Sequence, residues 1–440
     1  MKFFYLIILF FIFGCSFDNK TGIWKNENII SKKKNDPFED FVEINVSNNN
    51  FKKIIAKKKG FKLKLEKPIN NFSWHDVYYS ENNNLKNFTY DYNLNHIYRS
   101  KKISRNNLDN NFLYSNENLI FTDTKGDIII FSIGEKRVIY KFNFYKKKYK
   151  NVEKKLNIIL NEDLLYVFDN IGYIYALDIN NNKIVWANKN DVPFRSNIKV
   201  YKNKLISSDQ NNKIYFINKK DGKILTIIPT EETLVKNKFE NNLSVSGELT
   251  FFINTFGSLY AINNKNMRII WFINLNQSID LNPSNIFYGN QIISNGKNLV
   301  LSSNDYTYII DQFTGTTIYK KNFSSNLKPI IIGDFLFIIT KEKLLICTNI
   351  VNGEIVYSYD INNKIAEFLN TKKYDVKFKH MMILNNKLIV FLKNSYFLIF
   401  NTDGELEQVN KLPKKINSFP IVINNSLIYL DTRNKISIID

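Results

Sequence analysis

Apolar and polar positions along this chain follow a pattern that repeats itself. Between Asn161 and Trp186 an apolar run, Leu164 to Phe168, is followed by the turn "DNIG", a second run from Tyr173 to Leu177, the turn "DINNNK", and a third run ending in Trp186. The runs are short and rich in β-branched and aromatic residues, which predicts strands, and Asp, Asn and Gly at the turns tolerate the positive φ of tight hairpins. Similar copies begin at Lys202 and Gly247, and degraded ones near Asn116, Lys297, Gly333, Asn385 and Asn424, with a mean step of about 44 residues. The second turn recurs as Asp221-Gly222, Thr314-Gly315, Asn352-Gly353 and Asp403-Gly404. A less regular run before each copy brings the count to four strands, and four strands of about 5–6 residues with their turns need about 40 residues. Each copy is therefore read as one blade of an all-β propeller.

Seven full copies and a last one with only two evident strands before Asp440 predict eight blades. Half a blade leaves an open strand edge that templates aggregation, so the last blade is expected to be closed by an N-terminal strand, "FKLKL" or "DFVEINV". A seven-bladed ring is the alternative. Residues 41–440 are read as a single propeller domain, because no Pro/Gly/Ser linker interrupts the repeats. Helical spacing occurs once, at Ile361, Ile365, Phe368 and Leu369, and predicts a surface helix packed on a blade edge.

The N-terminus predicts export. Lys2 precedes an unbroken apolar stretch from Phe3 to Phe13, too short to span a bilayer and of the length of a signal h-region. Ile12-Phe13-Gly14-Cys15 resembles a bacterial lipobox. Residues 1–14 are thus read as a lipoprotein signal peptide, and 15–40 as a lipidated Cys15 followed by a flexible tether. An incidental cysteine after an ordinary secretory signal is the other reading. The remaining cysteine, Cys347, lies in the apolar run "KLLICTNI" and is expected to be a buried core residue, so no disulfide is predicted.

The blades at Gly172–Trp186 and Gly257–Trp271 resemble the pyrroloquinoline-quinone-like (PQQ-like) repeat. With the lipobox and the closing half-blade, the chain resembles the BamB family, lipoproteins of the outer-membrane β-barrel assembly machinery. The stretch "FSWHDVYYSENNNLKNF" is similar to a Trp- and Asn-rich segment of α-proteobacterial members. The repeat is eroded: Leu225, Tyr319 and Tyr357 stand where a blade would end in Trp, and Asn212 stands for Gly. The resemblance implies a non-catalytic scaffold on the periplasmic side of a Gram-negative outer membrane, anchored through Cys15 and docked on the barrel-inserting subunit as a monomer within a complex. Ser16 after the cysteine implies export to the outer membrane. The family binds through interblade loops, and the corresponding segment is "NDVPFRSNI", which makes Asp191, Phe194 and Arg195 candidate partner contacts. The same residues suit a packing role, with Phe194 between blades and Arg195 at a turn.

Other classes find little in the residues. Quinoprotein dehydrogenases share the repeat, and by resemblance they hold quinone and Ca²⁺ in the channel, commonly beneath a disulfide of adjacent cysteines; this chain has no such pair. His75, His96 and His380 lie far apart without metal-ligand spacing, and His75 in "WHD" is read as a hydrogen-bonded structural residue. Asp169, Asp178 and Asp209 stand at turns, where Asx-type hydrogen bonding accounts for them. No phosphate-binding or nucleophile motif is present, so no cofactor, metal or catalytic residue is expected. The net charge of +20 accompanies a chain rich in Lys, Asn, Ile, Phe and Tyr, the set expected from an A/T-biased genome. Lysine clusters such as Lys32–Lys34, Lys57–Lys59 and Lys146–Lys148 are read as solvated loops, and nucleic acid is not expected as a partner.

Overall fold

The computed structural model describes residues 51–440 apart from 61–62, 146–147, 233–241, 277–286, 288, 304 and 374, together with the backbone of 15–17 and 24–26. The chain divides into two units, Met1–Asn49 and Asn50–Asp440. In the first, Cys15–Phe17 pairs antiparallel with Trp24–Asn26. The expected strand "DFVEINV" and the expected domain boundary at residue 41 lie outside the described residues.

The second unit is a ring of eight four-stranded antiparallel sheets. Blade 1 runs from Leu113–Ser115 through Asn118–Thr122 and Asp127–Ser132 to Arg137–Asn143. Blade 2 comprises Leu156–Asn161, Leu164–Asp169, Tyr173–Asp178 and Lys183–Lys189, and blade 3 comprises Lys199–Tyr201, Lys204–Ser208, Ile214–Asn218 and Ile224–Ile228. Blades 4 to 7 begin with Asn242–Ser246, Ile293–Ser294, Ile330–Ile332 and Phe378–Leu384 and end with Arg268–Asn274, Thr317–Lys321, Ile355–Asp360 and Leu406–Lys411. Blade 8 takes three strands from the C-terminus, Ile421–Ile423, Ser426–Leu430 and Ile436–Ile439, and its fourth from His96–Arg99. The ring thus closes as expected, through a strand that the sequence reading did not pick. "FKLKL" contributes no strand in its described part, Leu63–Leu65.

Turn chemistry explains why five of the eight copies fold alike at the second hairpin. At the second hairpin of blades 2 and 3, Oδ1 of Asp169 accepts the amides of Ile171 and Tyr173, and Oδ1 of Asp209 those of Asn211 and Lys213. Asp123, Asn254 and Asp431 do the same in blades 1, 4 and 8. Asn212, at φ 69, takes the left-handed position that Gly172 and Gly257 hold in their blades, which accounts for the Gly-to-Asn erosion. In blades 1 to 7 the register between third and fourth strands slips at one equivalent place, such as Ala176/Leu177, Ala261/Ile262 and Cys347/Thr348. A bulge there increases the twist of the outer strand, as a blade requires.

Second and third strands are buried between neighbouring blades, whereas fourth strands face solvent. A fourth-strand aromatic reaches the last turn of the next blade: Trp271 Nε1 donates to Gln312 O (3.2 Å), Tyr319 Oη to Val351 O (3.0 Å), and Tyr98 of the closing strand to Lys136 O of blade 1 (3.4 Å). At Tyr319 tyrosine therefore replaces the lost tryptophan with its own donor, whereas the buried Tyr357 hydroxyl has no hydrogen-bond partner among the described residues. The helix Ile361–Leu369 forms where expected, capped by the Asp360 carboxylate and packed on the outer strands of blades 6 and 7. Ile361 and Ile365 are buried, while Phe368 and Leu369 remain exposed. Cys347 is buried, as its apolar surroundings predict.

Candidate functional site

First strands line the axis of the ring, with those of blades 3, 4, 5 and 6 in contact in succession. Their inward edges carry backbone groups that need partners. The segment between Ile69 and Tyr92 supplies them, and it meets the blades in their order around the ring. Asn71 Nδ2 donates to Val422 O of blade 8 (2.8 Å), and Trp74 exchanges two backbone hydrogen bonds of 2.8 Å with Tyr114 of blade 1. Leu160 N of blade 2 donates to His75 O (2.9 Å), and Lys199 Nζ of blade 3 to Asp76 Oδ2 (2.6 Å) and Ser80 O (2.9 Å). Val245 N of blade 4 donates to Glu81 O (2.9 Å) and Ser294 N of blade 5 to Asn82 O (3.1 Å). The Asn84 amide pairs both ways with Ile331 of blade 6, at 2.7 and 3.0 Å. Phe88 N and O pair with Ile383 and Asn385 of blade 7, and Thr89 Oγ1 returns to Asn425 of blade 8. Asn71–Phe88 is therefore a hoop that makes one circuit inside the ring.

The hoop also packs the interior. Tyr79 sits 4.9 Å, centroid to centroid, from both Trp74 and Phe88, and Trp74, Leu85, Phe88 and Tyr90 are buried in the largest apolar cluster. Tyr79 holds φ 85, a conformation costly for a bulky residue, in a turn closed by Tyr79 N to Asp76 O (2.8 Å).

Charge is concentrated beside this turn. The Lys199–Asp76 pair is buried, and burial lowers the pKa of the lysine against the opposing pull of Asp76. Lys328 donates to Tyr78 O (3.2 Å) and lies over the rings of Tyr78 and Phe419; burial, reinforced by the Lys199 charge, pushes its pKa down to about 7. Burial raises Tyr78 to about 12. His75 Nε2 is buried without a hydrogen-bond partner among the described residues, so the expectation of a hydrogen-bonded histidine is not met at that atom. Its pKa is lowered by burial.

Two clefts border the hoop. One, of about 470 Å³, includes His75, Tyr79, Glu81, Glu162, Lys202 and Lys219 in its lining. The other, of about 750 Å³, lies among interblade loops, with Tyr78, Asp109, Lys155, Phe194, Arg195 and Gln210 among its walls. Phe194 is only 2% exposed, wedged between Phe168 and Tyr215 with centroids at 4.8 and 5.2 Å, so most of its ring is spoken for by blades 2 and 3. Arg195 is half-buried, donates to Gln210 O (2.6 Å), and has its pKa lowered by burial. Asp191 is exposed. The structure thus brings Phe194 and Arg195 to one cleft wall, with Asp191 outside the lining.

Sequence reasoning missed the hoop and a second N-terminal contact. Ile55 exchanges two backbone hydrogen bonds, 3.0 and 2.9 Å, with Ser358 on the outer strand of blade 6. Lys57 pairs with Asp403 (2.6 Å) and Lys58 with Glu354 (2.5 Å), so two lysines read as solvated fasten this strap to the rim.

A quinone with Ca²⁺ does not fit the residues present. Buried hoop side chains pack the axial space, Cys347 is buried alone, and no group of three or more His, Cys, Asp or Glu suited to a metal occurs among the described residues.

A family model described as outer membrane protein assembly factor BamB matches residues 150–359. No curated protein matches the chain. Among solved structures, BamB from Moraxella catarrhalis superposes with TM-score 0.61 at 12% identity, covering 79% of this chain and 99% of that one. A europium-containing methanol dehydrogenase gives TM-score 0.59 at 11% identity over 83% and 89% of the two chains. A quinohemoprotein alcohol dehydrogenase from Comamonas testosteroni gives 0.57 at 9% identity over 83% and 80%. At these identities the structures share the fold alone, and that fold is common to BamB and to dehydrogenases. The sequence match over blades 2 to 6 and the eight closed sheets together support a BamB-like β-propeller of PQQ-like repeats.

Proposed function

We propose that the protein is a non-catalytic scaffold lipoprotein of the outer-membrane β-barrel assembly machinery, facing the periplasm of a Gram-negative cell. One observation carries the non-catalytic reading: the chain's own hoop circles and packs the channel where a quinoprotein-type ring would hold its cofactor. The description of the matched family supports the assembly role. In this reading, cleavage after residue 14 leaves Cys15 as the lipid anchor, and three acyl chains hold the protein far more firmly than one. The loop entering blade 3 meets the barrel-inserting subunit through exposed Asp191 and half-buried Arg195, with Phe194 fixing the loop from beneath. An arginine fork suits such a contact.

Crosslinking the mature protein in its own envelope tests the proposal. Neighbours should include β-barrel assembly components, and Arg195→Glu should weaken that crosslink in protein that stays folded at the assay temperature, although loss of the hydrogen bond to Gln210 O lowers its melting point. Cys15→Ser should abolish partitioning into a detergent phase. Absence of assembly components among the neighbours sinks the scaffold reading, and saturable Ca²⁺-dependent quinone binding with alcohol oxidation establishes the dehydrogenase in its place.

A further inference from the structure

We propose that the central channel is a peptide-binding site whose ligand is the chain's own segment Asn71–Phe88, recognised through its asparagines. An asparagine side chain carries one amide donor group and one carbonyl acceptor, as a backbone peptide unit does, so it can continue a strand edge sideways. Two positions, Asn84 and Asn87, use both groups, and two more, Asn83 and Asn71, use the amide donor. Asn83, with 0% exposure, donates from one Nδ2 to Leu243 O and Ile292 O, both at 2.8 Å, and so ties the entry of blade 5 to blade 4. Asn84 both donates to and accepts from Ile331. Asn87 donates to Asn386 Oδ1 (2.8 Å) and accepts from Asn386 N (3.1 Å). Asn71 donates to Val422 O while its own carbonyl accepts from Asn424 N (2.9 Å).

Aspartate at these places has no donor, glutamine sets its amide one methylene too far out, and leucine at position 83 takes the donor from Ile292 O and leaves Leu243 O with the Asn197 amide. The Asp76 carboxylate adds a charge-matched point, met by Lys199. The site therefore selects a peptide with asparagines at four places, left-handed turn residues at Tyr79 and Asn83, an acidic residue at the first turn and buried aromatics between. Independently of the scaffold reading, the ring requires this ligand, because without it the inward edges of eight blades face one another unpaired.

The test uses the full chain with specific protease sites placed at Lys58–Gly60 and at Lys101–Lys102, all exposed. Double cleavage yields a fragment holding the hoop and the closing strand His96–Arg99. The fragment should co-elute with the ring in native gel filtration, and Asn83→Leu should speed its release at least about tenfold, whereas Asn93→Leu, at an exposed position, should not. Since the closing strand alone could hold the fragment, the Asn83 comparison is decisive. After release in denaturant, a synthetic peptide of residues 69–99, which keeps the closing strand, should restore the native melting temperature, and a peptide scrambled over residues 69–92 with the same closing strand should not. Departure of the fragment with the ring still folded overturns the proposal, as does equal rescue by the scrambled peptide or no effect of Asn83→Leu.

Discussion

The indole of Trp186 on the outer strand of blade 2 lies flat against Gly222 in the last turn of blade 3, so near that a Cβ there would stand 2.4 Å from Cε3. Trp186 Nε1 donates to Lys219 O in the same turn (3.1 Å). Trp271 over Gly315 and Tyr319 over Gly353 repeat the arrangement two blades and three blades on, with a Cβ at 2.7 Å in each. The repeating Gly of the last turn is thus a seat for the neighbouring blade's aromatic ring, and the recurrence of that Gly and of the fourth-strand aromatic is a contact between blades rather than within one.

Gly222→Ala should therefore destabilise the ring by more than backbone strain alone. The position has φ +70 and its added methyl meets the indole, whereas Gly247, at φ +59, has open space around it. Strain at a positive φ costs about 1 kcal/mol, and overpacking adds about 1–3 kcal/mol. Urea unfolding should place Gly222→Ala below Gly247→Ala by the overpacking share, and equal losses would show that the indole moves aside freely.

Phe194 makes a different prediction from the one its loop position suggests. Its ring lies between Phe168 and Tyr215, so Phe194→Ala should cost about 3–5 kcal/mol of stability. A variant that kept its stability yet lost crosslinking to a partner would show that the ring is released for binding.

The Lys199–Asp76 pair should behave as a buried ion pair. Removing one member leaves a charge unpaired among buried groups, so Lys199→Met should cost about 3–5 kcal/mol. Asp76→Asn in the same molecule should recover part of that loss, because it removes the stranded carboxylate. The coupling appears in a double-mutant cycle by denaturant unfolding, and additive losses would mean that the two charges do not sense each other.

The blades are legible in the sequence because their cause is local. Hairpin turns with Asp, Asn or Gly at fixed places, such as Asp169 with Gly172 and Asp209 with Asn212, write themselves into a 44-residue period, about one blade. The hoop is written in another way. Asn83 and Asn71 find carbonyls 160 and 351 residues away, and Trp74, Leu85 and Phe88 follow neither a strand nor a helix period because they wrap a circle. The closing strand was hidden for a related reason: "HIYR" is four residues long, its first two positions are exposed, and only its pairing with Ile436–Ile439 makes it a strand. Phe194 shows the limit for the candidate site, since an aromatic in an interblade loop reads alike whether it points out to a partner or in between two blades.

His380 should set an acid limit. Burial, aided by the charges of Lys379 and Lys328, holds its pKa near about 3, against 6.5 ordinarily, and its ring meets Phe419 edge-on at 5.0 Å. The folded state thus binds fewer protons than the unfolded chain between these values. Stability from this group is complete above about pH 6.5 and is lost as the pH falls toward 3, with a slope approaching about 1.4 kcal/mol per pH unit. His380→Phe should flatten that part of the stability curve, and an unchanged slope would assign the loss to carboxylates.

Lys328 should act in the opposite range. Its pKa is pushed down to about 7 from 10.5, so between these values the unfolded chain holds a proton that the folded ring has given up, and stability rises with pH across that window. Below about pH 7 the fold carries the buried ammonium in full, held by one carbonyl, that of Tyr78, and by the faces of two aromatic rings. Lys328→Met keeps the length of the side chain and removes the charge. It should melt higher than the parent at pH 6, with an advantage that shrinks steadily between pH 7 and 10. A constant difference across that range would mean that the ammonium reaches water in the folded ring, and that the charge beside the hoop is solvated after all.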